Sequence, residues 1–351
     1  MIGSKTFIAT PPGATIKEQL FNRGMTQKEF ASRMDMSEKH ISRLINGEVQ
    51  LTSDMAMRLE MVLGVPARFW SNLESIYREK LSKAQAENEM DEDLEILKKI
   101  PYNDMAKNGW VEKTSRKEEK VINLRKFFEV VRLGILNEKL MPDIAYRKLG
   151  NGEKSDYAVL CWAQKAKIES RNIETSPINI EKLKEMIPEI RKMTTQDPEF
   201  FCGQLHEKLS ECGIALIFMP HISGPFLHGL TFYEGKKIVM GLTVRGKDAD
   251  RFWFSFFHEI GHIVLGHLSL YSGIFNKLEK EADLYARNVL IPDYRFEQFT
   301  KEGNFDTITI NKFSKEVGID AGITVGRLQK ENWIPYDKYN ELKRKYILKS
   351  S

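Results

Sequence analysis

The sequence predicts a multi-domain, mainly helical protein with an all-α bundle first, a helical middle region next and an α+β domain with a small sheet last. Three observations support this fold class. The chain has 351 residues, more than one hydrophobic core usually serves. Short helical periods broken by turn signals fill residues 14–82, and strand-like stretches are confined to residues 213–243. We therefore predict domains at residues 1–82, 83–197 and 198–351.

Composition and charge narrow the classes of protein that the chain fits. The 53 Lys and Arg residues against 49 Asp and Glu give a net charge of +4, so any nucleic-acid surface must be local. The three cysteines form no C-x-x-C pair, which favours a reducing compartment over a disulfide framework. We find no signal peptide and no apolar run of about 18 residues, so we expect a cytoplasmic protein with no membrane partner.

The stretch TQKEFASRMDMSEKHISRLING, Thr26 to Gly47, has the pattern of two short helices joined by a turn. Thr26 and Ser37 are residue types that cap helix N-termini, and Gly47 is the type that ends a helix. This is the helix-turn-helix plan, in which the second helix enters the major groove of DNA. Its predicted apolar face consists of Phe30, Ala31, Met34, Met36, Ile41 and Leu44.

Residues 11–77, from PPGATIKEQL to FWSNLESIY, resemble the helix-turn-helix domain of Xre-type repressors and in particular that of HigA-like antitoxins. The resemblance implies binding to double-stranded DNA, with Thr26 and Gln27 against phosphates at a helix N-terminus. Residues 1–80 hold 11 Lys and Arg against 9 Asp and Glu, a modest charge for DNA binding, so a bundle that binds protein is the alternative. The residues expected against bases or backbone are Lys39, His40 and Arg43.

The middle region, residues 83–197, is predicted to be helical, and its role stays open. Charged residues dominate it to about residue 125, which is typical of exposed helix and linker. Helical patterns then continue, interrupted by turn signals at LGNGEKSD and ETSPIN.

The pattern changes in the last region. Residues 213–220, 228–233 and 236–243 are rich in β-branched and aromatic residues, and EGK between the last two indicates a hairpin turn. A helix is predicted from about residue 247 to 268, and another over residues 276–290, where IPD stops it.

The stretch FHEIGHIVLGH, Phe257 to His267, places polar residues on the most apolar of these helices. His258 and His262 are four residues apart, so both imidazoles project from one helix face and reach one metal ion. Glu259 lies beside them, where it can hold a water molecule. Two imidazoles and a carboxylate in a buried helix are costly unless they are paired or bind a metal, and the pattern suits zinc.

A third ligand is expected from the next helix, which contains the small residues Ala282 and Ala286. At 100° per residue, Glu279 lies about 40° from the centre of that small face and Glu281 about 120°. Glu279 is therefore the predicted ligand and Glu281 the alternative. Asp283, one turn beyond Glu279, is placed to accept the second N–H of a ligating histidine, although it has the pattern of an ordinary solvated charge as well.

Three stretches between residues 213 and 335 together resemble the ImmA/IrrE family of metallopeptidases: RFWFSFFHEIGHIVLGH, EKEADLYARNVLIP and GITVGRLQKENWIP. The resemblance implies a zincin-like domain and a Zn²⁺-dependent endopeptidase that cleaves a partner protein, often a transcriptional repressor. E-x-x-x-D after H-E-x-x-H also occurs in thermolysin-like zinc enzymes. NVLIP departs from the usual sequence of this motif in the family, where a second leucine and methionine are commoner. The difference affects packing rather than chemistry.

These residue types predict roles in peptide hydrolysis. Zinc held by the three ligands leaves a fourth position for water and polarises the scissile carbonyl. Glu259 is the expected general base, which passes its proton to the leaving amine. His228 is the first candidate for the oxyanion donor, and an ordinary structural role is the alternative for His228, Arg251 and His267. The others are Arg251, His267 and Tyr285.

Taken together, the two motifs predict a DNA-binding transcriptional regulator joined to a zinc endopeptidase. We expect a homodimer on a palindromic DNA operator, with half-sites about one helical turn apart. The expected protein substrate is a repressor, an antitoxin or the chain itself. The alternatives are an antitoxin or autorepressor with a structural metal or none, and a peptidase whose first domain recognises only protein.

Overall fold

The computed structural model describes residues 2–4, 7–137, 153–220, 222, 229–243, 248–269 and 275–346. Contacts divide the chain into two compact units, Met1–Glu95 and Ile96–Ser351. The described chain is mainly helical and carries a small mixed sheet, which confirms the fold class in outline. None of the helices in these ranges combines the length and the hydropathy that crossing a membrane requires.

The first unit is a helical bundle preceded by a two-stranded antiparallel ribbon. The last helix runs through residue 82, where the sequence predicted a domain boundary, and ends just beyond this unit. The elements are β1 (Ile2–Gly3), β2 (Ile8–Ala9), α1 (Gly13–Asn22), α2 (Gln27–Arg33), α3 (Glu38–Ile45), α4 (Ser53–Leu63) and α5 (Ala67–Leu97).

The two helices of the predicted helix-turn-helix motif pack on an apolar core. Five of the six residues of the predicted apolar face are buried, and Met36 packs against them while half-buried. The indole of Trp70 is fully buried in the same core and donates a hydrogen bond to the carbonyl of Val65 at 3.1 Å. Gly13 touches the end of α3, since a Cβ there would lie 1.9 Å from the carbonyl oxygen of Ile45. The core therefore holds α3 along its buried face, and α1 packs against its C-terminal end.

The middle of the chain is helical, as predicted, and belongs to the second unit from Ile96 onward. The first half of the predicted break LGNGEKSD lies outside the described residues and its second half, from Glu153, already belongs to a helix, whereas ETSPIN separates two helices. Asn179, the last residue of that stretch, caps the following helix by accepting a hydrogen bond from the Lys182 N–H. The helices are α6 (Tyr102–Lys107), α7 (Lys117–Phe128), α8 (Glu153–Ser170), α9 (Ile180–Lys192) and α10 (Pro198–Ser210).

A three-stranded sheet lies where the sequence changes its pattern, and all three predicted strands are present. They are β3 (Ile214–Met219), β4 (Gly229–Glu234) and β5 (Lys237–Thr243). The central strand β5 runs parallel to β3 and antiparallel to β4. Glu234 pairs with Lys237 across a two-residue turn, which confirms the predicted hairpin.

The remaining helices are α11 (Ala249–Val264), α12 (Phe275–Leu290), α13 (Asp293–Glu302), α14 (Thr307–Val317) and α15 (Ala321–Lys330). The prediction that α11 continues to about Leu268 was wrong, because the α-helix ends at Val264. Gly266 adopts a left-handed φ of +73°, a conformation that ends helices, and a short 3-10 helix follows over His267–Ser269.

Helix α11 is buried between the sheet and α12. Three of its aromatic residues, Trp253, Phe256 and Phe257, are fully buried in the core of the second unit. Ala282 packs on Gly261, where a Cβ would lie 3.3 Å from the Ala282 Cα. This confirms the close approach of the two helices that the small residues predicted, and it brings their polar side chains together.

Candidate functional site

Three side chains converge at the contact between α11 and α12: His258, His262 and Glu279. The two histidine Nε2 atoms are 3.1 Å apart. Glu279 bridges them, with Oε2 lying 3.2 Å from Nε2 of His258 and Oε1 lying 3.2 Å from Nε2 of His262. One ligand atom from each residue lies within 4.8 Å of the other two, so the three are a group that could hold one metal ion.

The three groups are mostly buried, and they perturb one another. Burial alone would lower the pKa of His258, but its hydrogen bonds to Asp283 and Glu279 outweigh this and raise the pKa to about 10. For Glu279 the directions are reversed: burial alone would raise its pKa, but hydrogen bonds from His258 and His262 outweigh this and lower the pKa to about 2. The cluster therefore holds a charged carboxylate between two imidazoles.

The other nitrogen of each ring also has a partner. Nδ1 of His258 lies 2.8 Å from Oδ1 of Asp283, the residue predicted to hold a ligating histidine. Nδ1 of His262 lies 3.0 Å from Nδ1 of His267, whose Nε2 in turn lies 3.3 Å from Oε2 of Glu281. Glu279 thus contacts both rings, whereas Glu281, the alternative ligand, contacts His267.

Glu259, the predicted general base, is buried between α11 and β4. Its Oε2 accepts a hydrogen bond of 2.5 Å from the Thr231 hydroxyl. Gly229 leaves room for it, since a Cβ there would lie 2.6 Å from both Cγ and Oε1 of Glu259. Burial raises the pKa of Glu259 above its ordinary value, although both histidines and Thr231 oppose the shift.

The sequence did not single out Gly229 and Thr231. They are two residues apart on β4, so the alternation of a strand puts both on one face. That signal was present, but nothing in the sequence indicated that this face meets α11.

Of the four candidates for the oxyanion donor, His228 lies outside the described residues. Arg251 is 60% exposed and lies 3.8 Å from an oxygen of Asp248. His267 has a side-chain partner at each ring nitrogen, as described above. Burial raises the pKa of Tyr285 to about 12, so its hydroxyl keeps the proton that a donor needs, and its ring packs on Gly261.

In the first unit, the side chains predicted to contact DNA lie on the motif formed by α2 and α3. The Thr26 hydroxyl accepts from the Glu29 N–H at 3.1 Å, and the Ser37 hydroxyl accepts from the His40 N–H at 3.2 Å. Both predicted caps are therefore confirmed. Gln27 and Lys39 are exposed.

Two of the residues predicted to contact DNA, His40 and Arg43, are less free to do so because of their surroundings. Arg43 is exposed but lies 3.6 Å from a carboxylate oxygen of Glu48. His40 is half-buried, and its Nε2 is buried with no hydrogen-bond partner among the described residues. The imidazole of His40 therefore offers less surface to a partner than Lys39 does.

Comparison with known proteins bears on the first unit. Residues 16–70 match the helix-turn-helix family. The uncharacterized HTH-type transcriptional regulator YddM of Escherichia coli (strain K12) is 35% identical over 80 residues, which is 23% of this chain and 81% of that protein. An addiction module antidote protein of a HigA family from Coxiella burnetii is 24% identical over 24% of this chain and 94% of that chain, with a TM-score of 0.22.

The class of protein follows from the fold and these matches: the chain belongs to the helix-turn-helix family through its N-terminal domain. That domain is Xre/HigA-like and is of the DNA-binding kind. The family match ends at residue 70, so the peptidase resemblance of the second unit stays a prediction.

Proposed function

We propose that the protein is a DNA-binding transcriptional regulator whose second unit is a Zn²⁺-dependent endopeptidase. The observation that carries the enzymatic part is the group formed by His258, His262 and Glu279 beside the buried Glu259. The helix-turn-helix domain supports the regulatory part. The proposed substrate is a peptide bond in a partner regulator, such as a repressor or an antitoxin, or in the chain itself.

The donor set supports zinc at this position. Zinc takes imidazole nitrogens at about 2.0–2.1 Å and carboxylate oxygens at about 2.0–2.2 Å, so ligand atoms around a tetrahedral zinc would lie roughly 3.3 Å apart. The two Nε2 atoms, 3.1 Å apart, are close to this separation, and each of them lies 3.2 Å from a different oxygen of Glu279. Three protein ligands are also the number that catalytic zinc sites use, whereas structural sites use four.

When bound, zinc would polarise the scissile carbonyl and make water a stronger nucleophile. Glu259 then takes a proton from the attacking water and delivers it to the leaving amine. The burial that raises its pKa brings its basicity closer to neutral pH, which suits a group that must both accept and release a proton. The Thr231 hydroxyl fixes the direction of the carboxylate, and Gly229 allows β4 to approach it.

Elemental analysis of the full-length chain tests the metal first. We expect near one zinc per chain in the wild type and in Glu281→Gln, and loss of that zinc in Glu279→Gln, because Glu279 alone of the two contacts both imidazoles. Equal zinc in both variants would count against the proposed ligand set. A wild type purified without chelators that holds no zinc would remove the peptidase from the proposal.

Proteolysis is tested separately with Glu259→Gln. We expect this variant to retain zinc but to lose hydrolysis of internally quenched peptides and any self-cleavage detected by mass spectrometry. The activity should fall by a factor of about 10² to 10⁴, which is what a general base contributes. Unchanged cleavage in the variant would show that Glu259 is not the base.

A second function is favoured by the family match of the first unit. In this alternative the chain is an Xre/HigA-like antitoxin or autorepressor, dimeric on a palindromic operator, without proteolysis. It predicts that Glu259→Gln regulates a reporter gene as the wild type does, whereas the peptidase proposal predicts altered regulation.

A further inference from the structure

The segment HIVLGH folds back on itself, so that its first and last residues, His262 and His267, are in contact. Gly266 adopts its left-handed φ directly after α11, and this turn brings the His267 ring back to the His262 ring. The two Nδ1 atoms lie 3.0 Å apart although five residues separate them. The side chain of His267 is only 4% exposed, so this contact is inside the protein and away from competing water.

A chain of polar contacts continues from His267 to the surface. Its Nε2 lies 3.3 Å from Oε2 of Glu281, whose side chain is 42% exposed. His262 therefore connects through a buried imidazole to a carboxylate at the edge of the protein. His258 connects directly to a carboxylate, that of Asp283, at 2.8 Å.

The chemistry of imidazole gives this chain one arrangement of protons. A neutral imidazole has one donor nitrogen and one acceptor nitrogen. If Nε2 of His262 binds a metal, its proton must be on Nδ1, which then donates to Nδ1 of His267. His267 must therefore hold its proton on Nε2 and donate a hydrogen bond to Glu281. The ionised carboxylate of Glu281 has no proton of its own and acts only as an acceptor. Each contact selects the tautomer needed by the next.

We propose that His267 and Glu281 are a positioning pair that orients the His262 ring and fixes its metal-binding tautomer. This inference rests on the proposed function, since it assumes that His262 binds Zn²⁺. Partners of this kind typically change metal affinity by a factor of about 10 to 100 when removed. Glu281 then acts through His267 and does not bind the metal, and His267 orients a ligand and does not contact the oxyanion.

The test measures Zn²⁺ affinity of the full-length chain by competition with a chromogenic chelator. His267→Phe keeps a flat ring but removes the acceptor, and we expect affinity to fall by a factor of about 10 to 100. His267→Asn places an oxygen near the position of Nδ1 and should restore most of that loss. Glu281→Gln should weaken binding by a factor of about 10, and its exposed position makes it the variant least affected by misfolding.

Lys280→Gln, at an exposed neighbouring position of α12, is the matched control and should bind Zn²⁺ as the wild type does. The absorption spectrum of the Co²⁺-substituted chain supplies a second readout, because it reports ligand geometry. It should change in His267→Phe and Glu281→Gln and stay unchanged in Lys280→Gln.

The outcomes separate this inference from the function on which it rests. Zinc bound by the wild type, with affinities and Co²⁺ spectra unchanged in His267→Phe and Glu281→Gln, would overturn the positioning pair and leave the metal site standing. A wild type that binds no Zn²⁺ would overturn both. Weaker binding in His267→Phe that His267→Asn does not restore would indicate a packing role and would also overturn the inference.

Discussion

The helix-turn-helix of the first unit and the cluster of His258, His262 and Glu279 in the second, the His–Glu cluster, place their polar side chains in opposite environments. Lys39 and Arg43 project into solvent from a helix whose other face is buried. Glu259 is 7% exposed, and His258 and His262 are held by further side chains at both ring nitrogens. A surface that recognises a partner needs side chains within reach, whereas a buried site needs them held and paired.

This contrast predicts that the two units are sensitive to different kinds of substitution. The first unit should be most sensitive to changes in the backbone contacts that orient α3, and less so to loss of any one exposed charge. The second unit should be sensitive to shifts of a fraction of an ångström around its carboxylates, since buried polar groups are costly when they lose a partner. Four substitutions test this contrast, beginning with the largest expected effect.

Gly13→Ala should destabilise the first unit by about 3 kcal/mol, at the upper end of what overpacking usually costs. The new Cβ would lie 1.9 Å from the carbonyl oxygen of Ile45, and backbone atoms cannot move aside as a flexible side chain can. Helix α1 must therefore separate from the end of α3, and DNA binding should fall with it. Denaturant unfolding and fluorescence anisotropy on duplex DNA measure the two effects.

The control for this variant is Gly24→Ala. No heavy atom lies within 4 Å of the position of its Cβ, so only the left-handed φ of +61° opposes it, at about 1 kcal/mol. Zinc content should be unchanged in both variants, because no residue of the His–Glu cluster belongs to the first unit. Equal stability of the two variants would show that contact with Ile45 does not decide the orientation of α1.

Gly229→Ala should reduce peptide hydrolysis by a factor of about 10², the usual cost of displacing a catalytic group by about 1 Å. Its Cβ would lie 2.6 Å from Oε1 and Cγ of Glu259, so the carboxylate must rotate away from Thr231. The three heavy atoms nearest to that Cβ all belong to Glu259 and none to His258, His262 or Glu279, so zinc content should be retained.

Gly235→Ala, in the turn between β4 and β5, provides the comparison for this second variant. No heavy atom lies within 4 Å of that Cβ, so only the left-handed φ of +60° opposes the change, and activity should stay near the wild-type value. If Gly229→Ala is as active as Gly235→Ala, the exact position of Glu259 is unimportant to hydrolysis.

The same contrast explains which features the sequence could predict. Thr26, Ser37 and the apolar face of the motif follow from local rules of capping and periodicity, and the structure confirms them. The approach of α12 to Gly261 was predictable because the small residues Ala282 and Ala286 allow two helices to pack closely. Thr231 was not predictable as a partner of Glu259, since 28 residues separate them and only the fold brings β4 onto α11.

The pairing of His267 was missed for a different reason. Helical periodicity predicted that α11 would continue to about Leu268, and on a continuous helix residues five apart do not face each other. Gly266 ends the helix and reverses the chain, and this reversal brings His262 and His267 into contact. A glycine directly before a histidine was the signal, and it indicated an end to the helix rather than a continuation.

Lys39→Ala should weaken binding to duplex DNA about tenfold and reduce the slope of log K against log salt by about 0.9, the expected loss for one phosphate contact. Lys39 is exposed on α3, so the change should not affect stability. Lys17→Ala removes the same charge from the exposed face of α1 and is the control. Equal losses for both variants would indicate that the overall charge of the unit, and not α3, determines binding.

The smallest effect is expected from Asp293, a carboxylate of the second unit that lies 2.6 Å from Arg327 and 3.1 Å from Arg287. Partial burial would raise its pKa, but hydrogen bonds from the two arginines outweigh this and lower the pKa below its ordinary value. A carboxylate with a lowered folded-state pKa stabilises the fold above about pH 4, and that contribution is lost as the pH falls through the folded-state pKa. Asp293→Asn should therefore lower the melting temperature by a few degrees at pH 7, and the difference should shrink below about pH 4.

Glu29→Gln in the first unit sharpens this measurement, because it removes the partner of Arg33 from an ion pair whose side chains are 56% and 45% exposed. Exposed pairs contribute about 0–1 kcal/mol, so this variant should melt close to the wild type at every pH. A difference for Asp293→Asn that persists unchanged at pH 2.5 would mean that Asp293 acts by packing rather than by charge. A larger effect from Glu29→Gln than from Asp293→Asn would contradict the contrast between exposed charges in the first unit and paired, partly buried charges in the second.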